Sequence, residues 1–241
     1  MKDSEICGYI IHWKGGGAER ETHIKNQIKN LSIPFKFMEK EPSDAEIERD
    51  FKGGLAVRRG ITSCTFKHFE SYRDMIRNNF RFGLIFENDI VLNKNFEISL
   101  QKAVAEIKEN GFENIFLSLE DSYFRFVPGS RRIKGKTVYK TDGKNTRCAA
   151  AYLVDLKAAQ NLISEVERNK CGRVIDHFHT NCAALKIIDV YWLHPTIASQ
   201  GSRVGLFAST FQERKLKYPL FIRALSYKLQ RYYKRFLWFI R

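Results

Sequence analysis

The chain has 241 residues, of which 44% are hydrophobic, and a formal net charge of +14. This composition excludes a largely disordered chain and is sufficient for one folded domain with an appendage. No apolar stretch approaches the 18 residues of a membrane span, and no apolar signal core follows the first residues, so we expect a cytosolic protein. The positive charge indicates an anionic partner, with nucleic acid, an anionic membrane and a sugar nucleotide as the candidates.

The chain contains an odd number of cysteines, which are Cys7, Cys64, Cys148, Cys171 and Cys182. Because no two of them form a Cys-x-x-Cys pair, the sequence indicates neither a disulfide framework nor a zinc site. We therefore expect reduced and mostly buried thiols.

The first part of the chain alternates short apolar runs with helical patterns. Strands are predicted over residues 6–11 and 34–38, and helices over residues 18–31 and 60–78. Cys64 and His68 are four residues apart and share one face of the second helix, a pattern that favours a hydrogen-bonded core histidine over a ligand.

An acidic turn follows the next apolar run, residues 83–86, and consists of Glu87, Asn88 and Asp89. The run predicts a strand buried on both faces, and open α/β sheets bind ligands at the carboxyl ends of their strands. Carboxylate and amide oxygens suit Mg²⁺ or Mn²⁺, and such an ion would neutralise a diphosphate. A strand that ends in a plain polar turn is the structural alternative.

The second part continues the alternation, with helices predicted over residues 96–110, 156–167 and 178–185 and strands over residues 114–119, 148–154 and 187–193. Glu120 and Asp121 follow the strand at 114–119, where they either bind acceptor hydroxyls or form a solvated turn. Residues 123–146 are basic and contain Asp142-Gly143, which predicts a hairpin excursion from the sheet. Such loops commonly bind acceptors, and a plain solvated basic loop is the alternative.

These motifs resemble those of the family 25 glycosyltransferases of bacterial lipooligosaccharide synthesis, over about residues 6–202. The family's Glu-Asp-Asp motif corresponds to residues 87–89, where Asn88 removes one negative charge. Cys64 and His68 match a family helix segment, and Asp176 matches the acidic position of a Pro-Val-Asp segment. Because Asp176 precedes a predicted helix, a plain N-cap is the structural alternative.

The resemblance implies a GT-A-like α/β sheet over residues 1–211 that binds a UDP-sugar and is flanked by helices. It further implies inverting transfer, commonly of galactose, to a lipid-linked saccharide. The implied base is Asp176, with Asp121 in reserve. The implied donor contacts are Arg20, Glu87, Asn88, Asp89 and Gln200, of which Glu87 and Asp89 would hold Mn²⁺ or Mg²⁺.

The C-terminal segment, residues 212–241, contains nine basic residues and one acidic residue. Its apolar residues recur every three or four positions and form one helical stripe, made of Ile222, Leu225, Leu229, Tyr232, Phe236 and Phe239. A basic amphipathic helix of this kind binds anionic membranes, so we expect a peripheral protein on the inner face of the cytoplasmic membrane. A helix docked on the protein's own core is the alternative.

Two other classes of protein stay open at this point. A basic nucleic-acid-binding protein would explain the charge, although the sequence contains no zinc-finger spacing or recognisable RNA-binding motif. A catalytically degenerate family member that binds UDP-sugars without turnover would explain Asn88.

Overall fold

The computed structural model describes residues 5–13, 15, 18–55, 59–121, 126–141, 149–207 and 220–236. The strands in these ranges are β1 (Ile6–Ile11), β2 (Phe35–Met38), β3 (Phe82–Glu87), β4 (Ile90–Leu92), β5 (Ile115–Ser118), β6 (Val138–Lys140), β7 (Ala151–Asp155), β8 (Asp189–Leu193) and β9 (Ala198–Gln200). The α-helices are α1 (Ala18–Ile28), α2 (Asp44–Asp50), α3 (Arg59–Arg77), α4 (Phe96–Glu109), α5 (Leu156–Asn169), α6 (Ile175–Ala184), α7 (Gly201–Val204) and α8 (Leu220–Phe236).

A mixed seven-stranded sheet forms the centre of the fold, in the order β2-β1-β3-β7-β5-β8-β6. Strand β1 is parallel to β2 and β3, whereas β7 lies antiparallel between β3 and β5. The carboxyl ends of β1, β3 and β5 therefore meet the amino end of β7 at one edge of the sheet. This architecture confirms the predicted α/β class, and a second, two-stranded sheet of β4 and β9 lies outside the main one.

Both faces of the main sheet are buried, as the continuous apolar run of β3 predicts. Ile85 faces one core, where it packs with Tyr9 of β1 and Phe69 of α3. Phe86 faces the other core, where Leu100 of α4 lies. The helices on the two sides thus hold β3 in the middle of the molecule and fix the position of the turn that follows it.

Three elements differ from the local pattern of the sequence. Helix α6 begins at Ile175 rather than at residue 178, so Asp176 lies inside its first turn. Strand β6 joins the edge of the main sheet by pairing with β8, whereas we predicted an excursion there; the predicted turn at residues 142–143 lies outside the described residues. Residues 196–205, where we predicted neither a helix nor a strand, contain β9 and α7, because β9 pairs with the distant strand β4.

The C-terminal helix α8 lies beside α7 and buries Tyr227. Its predicted apolar stripe is not docked on the core, because Ile222, Leu225 and Leu229 are 38%, 56% and 60% exposed, and Phe236 is 70% exposed. Residues 212–219 and Phe239 lie outside the described ranges, and the domain boundary at 211 stays a prediction. Within those ranges, no helix combines the length and apolar character that crossing a membrane requires.

Candidate active site

His12 and Asn88 lie side by side at the carboxyl ends of β1 and β3, because Ile11 and Glu87 are register partners. The side-chain amide of Asn88 donates to Nδ1 of the buried His12 at 3.2 Å. Burial lowers the pKa of His12, so the neutral ring accepts at Nδ1 and carries its proton on Nε2, 3.7 Å from a carboxylate oxygen of Glu21. Asn88 is therefore held by a neutral partner.

Arg20 of α1 lies against the acidic turn. Its Nη1 atom is 3.4 Å from Oδ1 of Asn88 and 3.9 Å from Oδ2 of Asp89, and its guanidinium lies 5.1 Å from the ring centroid of Phe207. A contact between His23 Nε2 and the carbonyl oxygen of Ile90, at 2.8 Å, holds α1 against β4. The predicted diphosphate contact thus lies at the predicted metal ligands.

Asp89 is buried, and the elements that follow β9 hold it in place. Its Oδ2 accepts from the backbone N–H of Ser202 at 3.2 Å, and its backbone carbonyl accepts from Gly201 at 2.7 Å. Its other carboxylate oxygen, Oδ1, is buried and has no hydrogen-bond partner among the described residues. A buried oxygen of this kind normally has a partner, so Oδ1 is available to a cation or a donor group.

Glu87 is the carboxyl group on which the charges of several neighbouring carboxylates act. Burial, together with the neighbouring charges of Asp89, Glu120 and Asp176, raises the pKa of Glu87 from 4.5 to about 8. The amide of Gln200 donates to its Oε2 at 3.3 Å. Since Asp89 and Asp176 both act on Glu87, the predicted metal ligand and the predicted base belong to one electrostatic site.

Glu120, which the sequence offered with Asp121 as a carboxylate pair at a strand end, is fully buried at this edge of the sheet. Its Oε1 accepts from the N–H groups of Ala150 and Ala151 at 2.8 and 3.3 Å, while its buried Oε2 has no partner in the described part of the chain. Burial raises the pKa of Glu120 to about 7, and the charge of Arg203 opposes this rise. Glu120 follows β5 as Glu87 ends β3, so its place at a strand end was visible in the sequence, whereas Arg203 lies on α7, an unpredicted helix.

Asp176 and Asp121, the two predicted bases, lie on different elements. Asp176 is partly exposed in the first turn of α6, and its Oδ1 accepts from the N–H of His177 at 2.8 Å. Val174 occupies the N-cap, so Asp176 does not cap the helix. Asp121 is buried after Glu120, and its N–H donates to the carbonyl oxygen of Ala198 at 2.9 Å.

The donor atoms at this edge fit the hard divalent cation that the resemblance implies. Asp89 Oδ1 and Glu120 Oε2 are buried oxygens without partners in the residues described, and the clustered carboxyls raise the pKa of Glu87. Mg²⁺ and Mn²⁺ take oxygen ligands of this type, and a cation would relieve the repulsion among the carboxylates. The assignment of Glu87 and Asp89 as its ligands stays a prediction.

A buried hydrogen-bonded chain lies behind the acidic turn. His68 Nδ1 is 2.6 Å from the hydroxyl of Tyr152, which is 2.6 Å from the hydroxyl of Tyr72, which in turn is 2.8 Å from His179 Nε2. His68 is thus a buried and hydrogen-bonded histidine, as the sequence favours, and whether it also binds a ligand stays open. Burial lowers the pKa of His68 to about 3, so its ring is neutral.

Clustered carboxyls with raised pKa values at the strand ends of an α/β sheet are typical of an enzyme's ligand site. The family model described as glycosyltransferase family 25 (LPS biosynthesis protein) matches residues 8–178. The chain therefore belongs to glycosyltransferase family 25. The matched segment contains Arg20, Asp121, Asp176 and the acidic turn, and ends before Gln200.

A relative from Haemophilus influenzae, named "Putative glycosyltransferase", is 26% identical to this chain over 167 residues. The match covers 66% of this chain but only 57% of that protein. The chain thus aligns with little more than half the length of this relative.

Proposed function

We propose that this chain is an inverting glycosyltransferase that moves a hexose, most simply galactose, from a UDP-sugar to a lipid-linked saccharide of lipooligosaccharide or lipopolysaccharide synthesis. The observation that carries the proposal is the single electrostatic site that contains Glu87, Asp89 and Asp176, beside the guanidinium of Arg20. Membership of the family supports glycosyl transfer, and the site supplies the groups for each step.

Binding of the donor requires positive charge at the diphosphate. Arg20 supplies one such charge beside Asn88 and Asp89, and Gln200 adds an amide next to Glu87. Asp89 and Glu87 would hold Mn²⁺ or Mg²⁺, which when bound would neutralise the charge of the departing diphosphate. Asn88 contributes a neutral oxygen where a carboxylate would add charge. Asp89 would therefore supply the anionic oxygens of the turn, together with Glu87 once a bound cation has displaced its proton.

Transfer of the sugar requires a base for the acceptor hydroxyl, and Asp176 has this role in the proposal. The acceptor oxygen forms a bond with the anomeric carbon while the bond between that carbon and the diphosphate oxygen breaks. The hydroxyl proton passes to the Asp176 carboxylate, and UDP leaves. A single displacement of this kind inverts the anomeric centre. Asp121 is the alternative base.

Helix α8 places the enzyme at the surface where a lipid-linked acceptor lies. Its exposed apolar stripe includes Leu225, Leu229 and Phe236, and the segment from 212 to 241 carries nine cations against one acid. Each cation contributes on the order of 1 kcal/mol near an anionic membrane surface, so several anchor a protein without a membrane span. We propose peripheral binding at the inner face of the cytoplasmic membrane.

The proposal is tested by a screen of UDP-sugars for hydrolysis that depends on Mn²⁺, with and without lipid-linked acceptors. The expected result is turnover of one UDP-hexose, with UDP-galactose as the first candidate. If the chain binds UDP but transfers no sugar to any of the acceptors tested, the result would instead support the alternative, a catalytically degenerate protein that binds UDP-sugars. The presence of Asn88 in the acidic turn is the reason for this alternative.

A further inference from the structure

We propose that Cys64, His68 and Glu87 form a zinc site that adjoins the proposed site of the hard cation at Asp89 and shares Glu87 with it. One ligand atom from each of the three residues lies within 4.8 Å of the other two. Cys64 and His68 occupy successive turns of α3, and Glu87 ends β3, which packs against α3. The sheet and the helix therefore bring the three donors together.

The spacing of these donors is close to that of a tetrahedral zinc site. Zinc bonds of about 2.0 to 2.3 Å place neighbouring ligand atoms about 3.5 Å apart, so the donors have to close by about 1 Å on the ion. Cys64 and Glu87 are both partly exposed, and rotation of their side chains can supply this movement.

The burial and hydrogen bonding of His68 are a second and independent observation that supports a metal site. His68 is fully buried, and its Nε2 atom has no hydrogen-bond partner among the described residues. Its Nδ1 lies against the hydroxyl of Tyr152. Metal-bound histidines usually donate their other ring N–H to an acceptor, which fixes the tautomer and orients the ring.

The hydrogen-bonded chain permits the tautomer that a metal requires. When His68 Nδ1 donates to Tyr152, the hydroxyls of Tyr152 and Tyr72 each donate onward, and His179 Nε2 accepts the last hydrogen bond. This direction leaves a lone pair on His68 Nε2, the buried atom that has no hydrogen-bond partner among the described residues. A bound metal selects this direction over its reverse.

The chemistry of the donors identifies the ion. Thiolate and imidazole select a borderline ion such as Zn²⁺, whereas Mg²⁺ and Mn²⁺ prefer the oxygens of Asp89 and its neighbours. Three protein ligands leave a fourth position open. Glu87 belongs to both donor sets, and Gln200 holds its Oε2 atom. Zinc would thus connect α3 to the acidic turn and fix the orientation of Glu87.

The test measures metal binding directly, on the purified full-length chain stripped with a chelator. We expect a single equivalent of Zn²⁺ to bind, and Co²⁺ in its place to give a thiolate charge-transfer band. Cys64→Ala and His68→Ala should abolish both signals, and Cys182→Ala, which removes a buried thiol outside the cluster, should retain them. Tyr152→Phe should weaken zinc binding about 10- to 100-fold.

Two controls keep the result decisive. Asp89→Ala should lose Mn²⁺ binding and retain zinc, so failure of the glycosyltransferase proposal and failure of the zinc proposal are distinguishable. If His68→Ala does not fold, Cys64→Ser preserves the shape of the side chain and should still remove the cobalt band. Zinc binding of equal strength in wild type and Cys64→Ser, or a cobalt spectrum without a thiolate band, would overturn the zinc site.

Discussion

Asn88 contacts a neutral histidine, His12, so neither side chain of this pair adds charge to the acidic turn. The Asn88 amide donates to His12 Nδ1, and burial lowers the pKa of His12. In Asn88→Asp a carboxylate would face Nδ1 and favour a protonated ring, so we expect the pKa of His12 to rise by at least about one unit. An NMR titration measures this pKa, and His23, which contacts a backbone carbonyl, is the internal reference. An unchanged His12 pKa would contradict the contact.

Glu87 makes the stability of the fold depend on pH. A carboxyl with a pKa raised from 4.5 to about 8 binds more protons in the folded than in the unfolded chain between these values, so stability falls as pH rises through this window. We expect Glu87→Gln to unfold at higher denaturant concentration than wild type at about pH 8.5, with little difference at about pH 4.5, in the presence of a chelator. Glu113→Gln, at an exposed carboxyl, is the matched control. Equal stability of Glu87→Gln and wild type at the higher pH would show that the pKa of Glu87 is not raised in the folded protein.

Removal of the Asp176 carboxylate should lower the turnover rate and leave the affinity for the donor unchanged. Removal of a general base costs about 10²- to 10⁴-fold in rate, so Asp176→Asn, which keeps the size of the side chain, should lose turnover by this factor. Its affinity for the UDP-sugar should stay within about twofold of wild type. Asp121→Asn, assayed in parallel, tests the alternative base. Full activity in Asp176→Asn together with loss in Asp121→Asn would reverse the assignment.

At the scale of elements, α7 holds the acidic turn through a close backbone contact. A Cβ atom on Gly201 would lie 2.5 Å from the carbonyl oxygen of Asp89 and 2.8 Å from the ring of Phe207. We therefore expect Gly201→Ala to displace α7 from Asp89 and to weaken UDP binding at least about 10-fold. Gly129→Ala, at a site with open space, is the control for both binding and melting temperature. Unchanged UDP affinity in Gly201→Ala would show that α7 does not position the turn.

Helix α8 should bind membranes through its exposed stripe. Replacing Leu225, Leu229 and Phe236 with serine keeps every cation, and the fold should persist because these side chains are exposed. We expect the triple variant to lose most of its sedimentation with anionic liposomes, whereas wild type sediments with anionic but not neutral liposomes. Undiminished sedimentation would refute the anchor. Salt-sensitive binding of wild type to oligonucleotides at physiological ionic strength would favour the nucleic-acid class.

Elements with a strong local pattern could be predicted from the sequence, and the three-residue strands β4 and β9 could not. The predicted bounds of β1 agree with the structure, and those of α3 differ by one residue at each end. Strands β4 and β9 have three residues each, and their pairing joins distant parts of the chain that no local pattern connects. The start of α6 was placed too late because its N-cap, Val174, carries no polar capping side chain.

Part of the candidate site could be predicted because strand ends are visible in the sequence. The acidic turn follows directly from the buried run of β3, whereas the approach of Asp176 to Glu87 depends on packing between α6 and the sheet. Cys64 and His68 were visible as a pair on one helix face. Their third neighbour, Glu87, comes from another element, so the cysteine spacing gave no indication of the cluster.

At the scale of the whole molecule, the proposed membrane helix and the proposed donor site are neighbours. Helix α8 lies beside α7, and the first residues of α7 contact Asp89. An acceptor held at the membrane surface would therefore approach the edge where β1, β3 and β5 end. Helix α8 and the acidic turn lie far apart in sequence, and in the fold both lie beside α7.

The central claim is that the acidic turn binds the diphosphate of a sugar nucleotide, and calorimetric titration of UDP-galactose in the presence of Mn²⁺ tests it most directly. Wild type and Asp176→Asn should bind with similar affinity, whereas Asp89→Ala should lose both nucleotide and Mn²⁺ binding. Equal affinity of Asp89→Ala and wild type for the nucleotide would contradict the claim.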